Sequence, residues 1–170
     1  GFKRTNLLIH LLTGLALCWA TLNLLRLYGV EESKAAWMAV LSMGFWLLHP
    51  YLVSTTLYVV QRMAQLAALF VFSGLAGYLH GRRLLSARPW RGYVWMSVSV
   101  VAGTALAAFS KENGVLLPIL VLVVEYCLPP GQQNARPDWR WRALFLWLPA
   151  MAVCYQLGRE IRFSPDPWPT

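Results

Sequence analysis

The chain has 170 residues, 58% of them hydrophobic and only 13% charged, where a soluble domain carries about a quarter charged residues. That balance excludes an ordinary water-soluble enzyme. The formal net charge of +8 does not make a nucleic-acid binder of it, because basic residues of a membrane protein collect in its cytoplasmic loops.

The apolar residues are blocked into runs such as NLLIHLLTGLALCWATLNLL, MAQLAALFVFSGLAGYL and GVLLPILVLVVEYCL. Runs of this length approach or meet what is needed to cross a hydrocarbon layer of about 30 Å. Lipid offers no partner to backbone N–H and C=O groups, so the spans must be helices. The expected fold is therefore an all-α, polytopic transmembrane bundle of about six spans, at 6–28, 35–49, 63–79, 93–109, 115–128 and 143–157.

In the first span Asn6, His10 and Thr13 fall at steps of four and three and share a helix face. They either pair with a neighbouring helix or line a cavity. The second segment is short, and Pro50 ends it by pushing His49 out of the α region. The stretch from His49 to Phe70 is the centre of the chain. Ser54, Tyr58, Gln61 and Gln65 recur at steps of four, three and four, with Thr55 and Arg62 at the flanks. A polar stripe against lipid is costly, so this one is expected to face a cavity between helices.

The loop HGRRLLSARPWRG is read as carrying Arg82, Arg83, Arg88 and Arg91. A break at Ser110-Lys111-Glu112-Asn113-Gly114 leads to the fifth span. Glu125, near that span's far end, reads as an interfacial or helix-pairing residue rather than a catalyst. Arg136, Arg140 and Arg142 follow, and the tail 159–170 has charge and proline without periodicity. Placing the arginine-rich loops in the cytoplasm puts nine basic residues there against six outside, as the positive-inside rule requires. Both ends of the chain then lie outside, which leads us to expect a preceding span in a longer protein. Trp90, Trp95, Trp139 and Trp141 gather at the cytoplasmic edge like an aromatic belt.

With that orientation Asn6, His10, His49, Tyr58, Gln61, Arg62, Lys111 and Glu112 fall toward the outer ends of their helices. A planar guanidinium and an ammonium point charge both suit phosphate, and a phosphate at the membrane face with its tail in lipid is a polyprenyl phosphate. The competing reading is that Arg62 and Lys111 snorkel to lipid headgroups. Cys18, Cys127 and Cys154 lie in apolar runs without metal or disulfide spacing. No metal spacing supports a divalent cofactor, and none is assigned.

The phrases NLLIHLL, HPYLVSTTLYVVQRMAQLAALF and FSKENGVLLPILVLVVE resemble the GT-C integral-membrane glycosyltransferases, in particular the transmembrane and tetratricopeptide-repeat (TMTC) mannosyltransferases and their bacterial relatives. The matching positions are Asn6 and His10, His49-Pro50 with Arg62 and 66–70, and Ser110-Lys111-Glu112 with Pro118; Gln61 stands where the family usually has glycine. The resemblance implies a GT-C-like fold. It implies transfer of a sugar from a polyprenyl-phosphate donor to a protein or glycan acceptor at the periplasmic face of a bacterial inner membrane or the luminal face of the endoplasmic reticulum. It also implies donor-phosphate binding by Arg62 and Lys111, and a catalytic acid in an outer loop before Gly1, so no residue here is assigned as catalyst. The partners so implied are the lipid donor, the acceptor and membrane lipids. A non-enzymatic scaffold whose polar stripes only join helices and a transporter segment are the rival readings.

Overall fold

The structure, a computed structural model, describes residues 2–55, 61–128 and 137–163. Every regular element among them is helical: α1 (Phe2–Leu27), α2 (Glu32–Leu48), α3 (Pro50–Thr55), α4 (Arg62–Leu84), α5 (Pro89–Ser110), α6 (Leu117–Cys127), α7 (Trp139–Arg142) and α8 (Leu148–Phe163). A 3₁₀ turn at Glu112–Leu116 leads into α6, and a π turn at Ala143–Trp147 joins α7 to α8. Three helices are long and apolar enough to cross a membrane, Lys3–Leu27, Arg62–Leu84 and Pro89–Ser110.

The chain breaks where its residues require. After α1, Gly29 takes φ +74°; its N–H reaches Arg26 O at 3.1 Å and the N–H of Val30 reaches Leu25 O at 3.0 Å. This is a Schellman end, with glycine at the left-handed position. His49 (ψ 120°) stops α2 before Pro50, and Arg88 (ψ 78°) is extended before Pro89, which opens α5. At the far end of α5, Lys111 is extended (φ −161°), and Gly114 then turns against the Ala107 backbone so closely that no side chain fits.

Consecutive long helices run antiparallel. α1 packs on α2 and α4, α4 on α5, and α6 on both α4 and α5. Small residues close the α4–α5 seam. A Cβ on Gly81 would stand 2.9 Å from the Gly92 carbonyl oxygen, one on Gly92 2.9 Å from that of Gly81, and one on Gly103 3.0 Å from the Gly74 Cα. Such close approach is how helices associate where the surroundings are as apolar as the side chains.

The polarity of the bundle is inverted relative to a water-soluble protein. Asn6, Thr13, Asn23, Gln65, Arg82 and Glu125 are buried, whereas Leu15, Leu41, Phe45, Leu48, Val98, Phe109 and Met151 point outward. Soluble proteins keep arginine and glutamate at the surface and rarely expose continuous apolar faces. Lipid as the surrounding solvent accounts for both observations, and the chain is a membrane protein.

Several boundaries differ from those expected. The third span continues past Leu79 to Leu84, so Arg82 and Arg83 are helical rather than in a loop; Glu125 and Asn23 supply the partners that keep them there. The helical run that starts at Trp139 continues to Phe163, so the tail begins later than residue 159. α2, with 17 residues, extends about 25 Å at 1.5 Å per residue, somewhat short of a hydrocarbon layer.

Candidate functional site

A cavity of about 250 Å³ opens at the end of the bundle where α1 starts, α2 and α5 finish and α4 begins. It is lined by His10, Thr13, Trp46, Tyr51, Leu52, Gln61, Ala64, Gln65, Ala68 and Lys111. His10, Thr13 and Gln65 are buried while Tyr51 and Lys111 are exposed, which puts the polar floor inside and the ammonium at the mouth.

Local breaks build this end. Because α2 stops before Pro50, its last carbonyls lack the usual helical partners. The His10 ring Nε2 sits 3.2 Å from Leu47 O. A carbonyl only accepts, so Nε2 donates, and in the neutral ring Nδ1 is then an acceptor. Thr13 Oγ1 donates to Ile9 O within its own helix at 2.7 Å, as helical threonines do. The Trp46 ring stands edge-on to Phe72, with centroids 5.0 Å apart. Trp46 Nε1 and Gln61 Oε1 are buried and have no hydrogen-bond partner among the described residues. Lys111 takes part in no ion pair among the described residues, and its place at the end of α5 matches the negative pole of the helix dipole.

The residues expected at the site divide into groups. His10, Gln61 and Lys111 meet around the cavity. Asn6 and Arg62 form a pair beside it, Arg62 Nε donating to Asn6 Oδ1 at 3.0 Å; Arg62 is not part of the lining. His49 turns away and, with Val40, Leu41, Gly44, Phe45, Leu48 and Pro50, bounds a separate apolar depression. Tyr58 lies outside the described residues. Glu112 opens the 3₁₀ turn, and its side chain is likewise outside them. Among the described residues no group of three His, Cys, Asp or Glu side chains is placed to hold a metal.

The opposite end holds a cluster of which the sequence reading had only Glu125, as a helix-pairing residue; its partners Arg82 and Tyr78 were missed. Arg82 Nε and Nη2 donate to Glu125 Oε2 and Oε1 at 2.9 and 3.0 Å, and Tyr78 Oη donates to Glu125 Oε2 at 2.7 Å. The ion pair is buried, with side-chain exposures of 1% and 4%. Beside it Arg83 Nη1 donates to Asn23 Oδ1 at 3.0 Å, and Tyr28 Oη to Cys127 O at 2.8 Å. With both Glu125 oxygens taken by donors, this cluster is a brace joining α4 to α6. Two signals for it were present: Tyr78 and Arg82 are four apart on one helix face, and Glu125 is a lone acid in an apolar run.

Comparison with protein-family models, with curated proteins and with solved structures yields no match for this chain.

Proposed function

We propose that this chain is the membrane-embedded part of a GT-C-type glycosyltransferase of about six spans, which moves a sugar from a polyprenyl-phosphate donor to a protein or glycan acceptor at the outer face. The observation that carries the reading is convergence. Residues from three motifs far apart in sequence, His10, Gln61 and Lys111, meet around one cavity at one end of the bundle, with the Asn6–Arg62 pair beside it. In such a transfer the acceptor oxygen bonds to the anomeric carbon, the bond from that carbon to the phosphate oxygen breaks, the lipid phosphate leaves with the electron pair of that bond, and the proton of the acceptor hydroxyl passes to the leaving phosphate. In this reading Lys111, exposed at the mouth, holds that phosphate as a point charge. Arg62, fastened to Asn6, acts by fixing α4 to α1.

The test is binding of a polyprenyl phosphate to the purified protein in detergent, comparing wild type with Lys111→Ala and Arg62→Ala. Loss of binding in Lys111→Ala with the fold retained supports the reading, and equal binding in wild type and Lys111→Ala overturns it.

The scaffold reading has one observation in its favour. The Arg62–Asn6 and Arg82–Glu125 pairs both join helices, which is what polar residues do in a purely structural bundle. Absence of polyprenyl-phosphate binding in the wild type favours it.

A further inference from the structure

The end of the bundle opposite the cavity carries more positive charge than its acids match. Its three glutamates already have bases of their own: Glu31 pairs with Lys34, Glu32 with Arg26 and Glu125 with Arg82. Arg83 is exposed in the last turn of α4 and enters no ion pair among the described residues. Its hydrogen-bond partner there is neutral: Nη1 donates to Oδ1 of the buried Asn23 on α1 at 3.0 Å. An arginine that merely snorkels to water keeps a free stem, whereas this one is fastened across the α1–α4 seam.

Asn23 thereby fixes one cation beside another. Arg26, three residues further along α1, is close enough for its charge to be felt at Arg83. It gives Nε and Nη2 to the exposed Glu32, which leaves Nη1 outside that pair. Two guanidinium groups held near each other repel, the Asn23 amide cancels neither charge, and an anion that reaches both relieves the repulsion. The planar fork of arginine matches phosphate. Aromatic rings set the depth of this patch. The His80 ring, one turn inward from Arg83 on α4, contacts Trp19 of α1 and Trp95 of α5, with centroids 6.0 and 5.4 Å away. Both tryptophans are exposed, and exposed tryptophans of membrane proteins gather at headgroup level. Three helical residues raise Arg83 about 4.5 Å beyond His80, toward the lipid phosphates.

We infer that this patch binds one anionic phospholipid of the adjoining leaflet, its phosphate held by Arg83 and Arg26 and its glycerol and upper acyl chains lying over Trp19, His80 and Trp95. A headgroup of net negative charge is selected, because the ammonium of a choline headgroup meets the same two guanidinium groups and is repelled. The patch lies at the other end of α4 from the Lys111 cavity, so its lipid is independent of the transferase reading.

The experiment measures binding of a tail-labelled phosphatidylglycerol, and of phosphatidylcholine with the same tails, to the purified protein in detergent. Wild type is compared with Arg83→Gln, with Arg140→Gln and with the double variant Arg26→Gln, Glu32→Gln, each checked by thermal melting. Arg140 carries the same charge on α7, where its guanidinium stands over the Trp139 ring, so Arg140→Gln reports attraction to net charge alone. The double variant leaves the net charge unchanged and carries the test where Arg83→Gln melts early. The expected result is a wild-type preference of roughly tenfold for phosphatidylglycerol, which Arg83→Gln abolishes. The double variant is expected to weaken phosphatidylglycerol binding by about threefold or more, and Arg140→Gln by less than about twofold. Equal binding of the two lipids by wild type, equal losses in Arg83→Gln and Arg140→Gln, or wild-type affinity in the double variant overturns the inference. Displacement of the lipid by inorganic phosphate as readily as by unlabelled phosphatidylglycerol overturns it too, by making the occupant a free anion.

Discussion

At the scale of single residues, the strongest dependence lies in the brace between α4 and α6. Replacing Glu125 by Ala leaves the Arg82 guanidinium buried beside Tyr78 without its carboxylate. Removing one partner of a buried pair costs about 3–5 kcal/mol, and Glu125→Ala is expected to lower the unfolding midpoint in detergent accordingly. The double variant Arg82→Met, Glu125→Leu removes both charges and is expected to recover most of that loss; a double variant as unstable as the single one would show that the pair does more than neutralise itself. Asn6→Leu is expected to cost less, about 1–3 kcal/mol, because it leaves a half-buried Arg62 without one acceptor. The same melting measurement ranks the two. The sequence showed that Asn6 and Arg62 are polar positions in apolar surroundings. It did not show that they bond to each other across 56 residues, since a contact at that separation depends on which helices become neighbours.

At the scale of elements, glycine positions separate packing from propensity. Gly81 faces Gly92 across the α4–α5 seam. Gly81→Val pushes the two helices apart and is expected to destabilise by about 1–3 kcal/mol, the usual cost of overpacking. Gly44 is helical too, yet a Cβ added there meets nothing within 4 Å. Gly44→Ala is therefore expected to stabilise α2 by up to about 1 kcal/mol from helix propensity alone. Opposite signs for the two substitutions, read from thermal unfolding, are the outcome that supports the seam. Three of the expected spans, at Lys3–Leu27, Arg62–Leu84 and Pro89–Ser110, and most helix ends were legible because proline, glycine and apolar run length act locally. The extension of α4 through Arg82 and Arg83 was not, because arginines next to a glycine look like a loop unless Glu125 and Asn23 are known to stand opposite them.

At the scale of the whole molecule, the antiparallel order gives a topology that labelling checks. Tyr51 is exposed at the Lys111 end and Ser86 is exposed at the Arg82 end. After Cys18, Cys127 and Cys154 are replaced by serine, a single cysteine at Tyr51 and one at Ser86 are expected to react with an impermeant maleimide from opposite sides of a sealed vesicle. Labelling of both from one side would contradict a membrane-crossing α4. The exposed apolar faces of α1, α2 and α5 lead to the same expectation: the protein partitions into detergent or bilayer and aggregates without either.

The sequence by itself determined the solvent of this protein and its helical character, because both follow from local composition and from the need to pair backbone groups within each segment. It also determined which polar residues are exceptional, His10, Gln61 and Lys111 among them, since each interrupts an apolar pattern. Only the tertiary structure decided their company. Packing α1 between α2 and α4 brought His10, Trp46 and Gln61 to one cavity, turned His49 away from it and gave Arg62 to Asn6. Those outcomes depend on how helices distant in sequence dock, and docking is set by the shapes of small-residue seams such as Gly81 against Gly92 rather than by any residue's own preference.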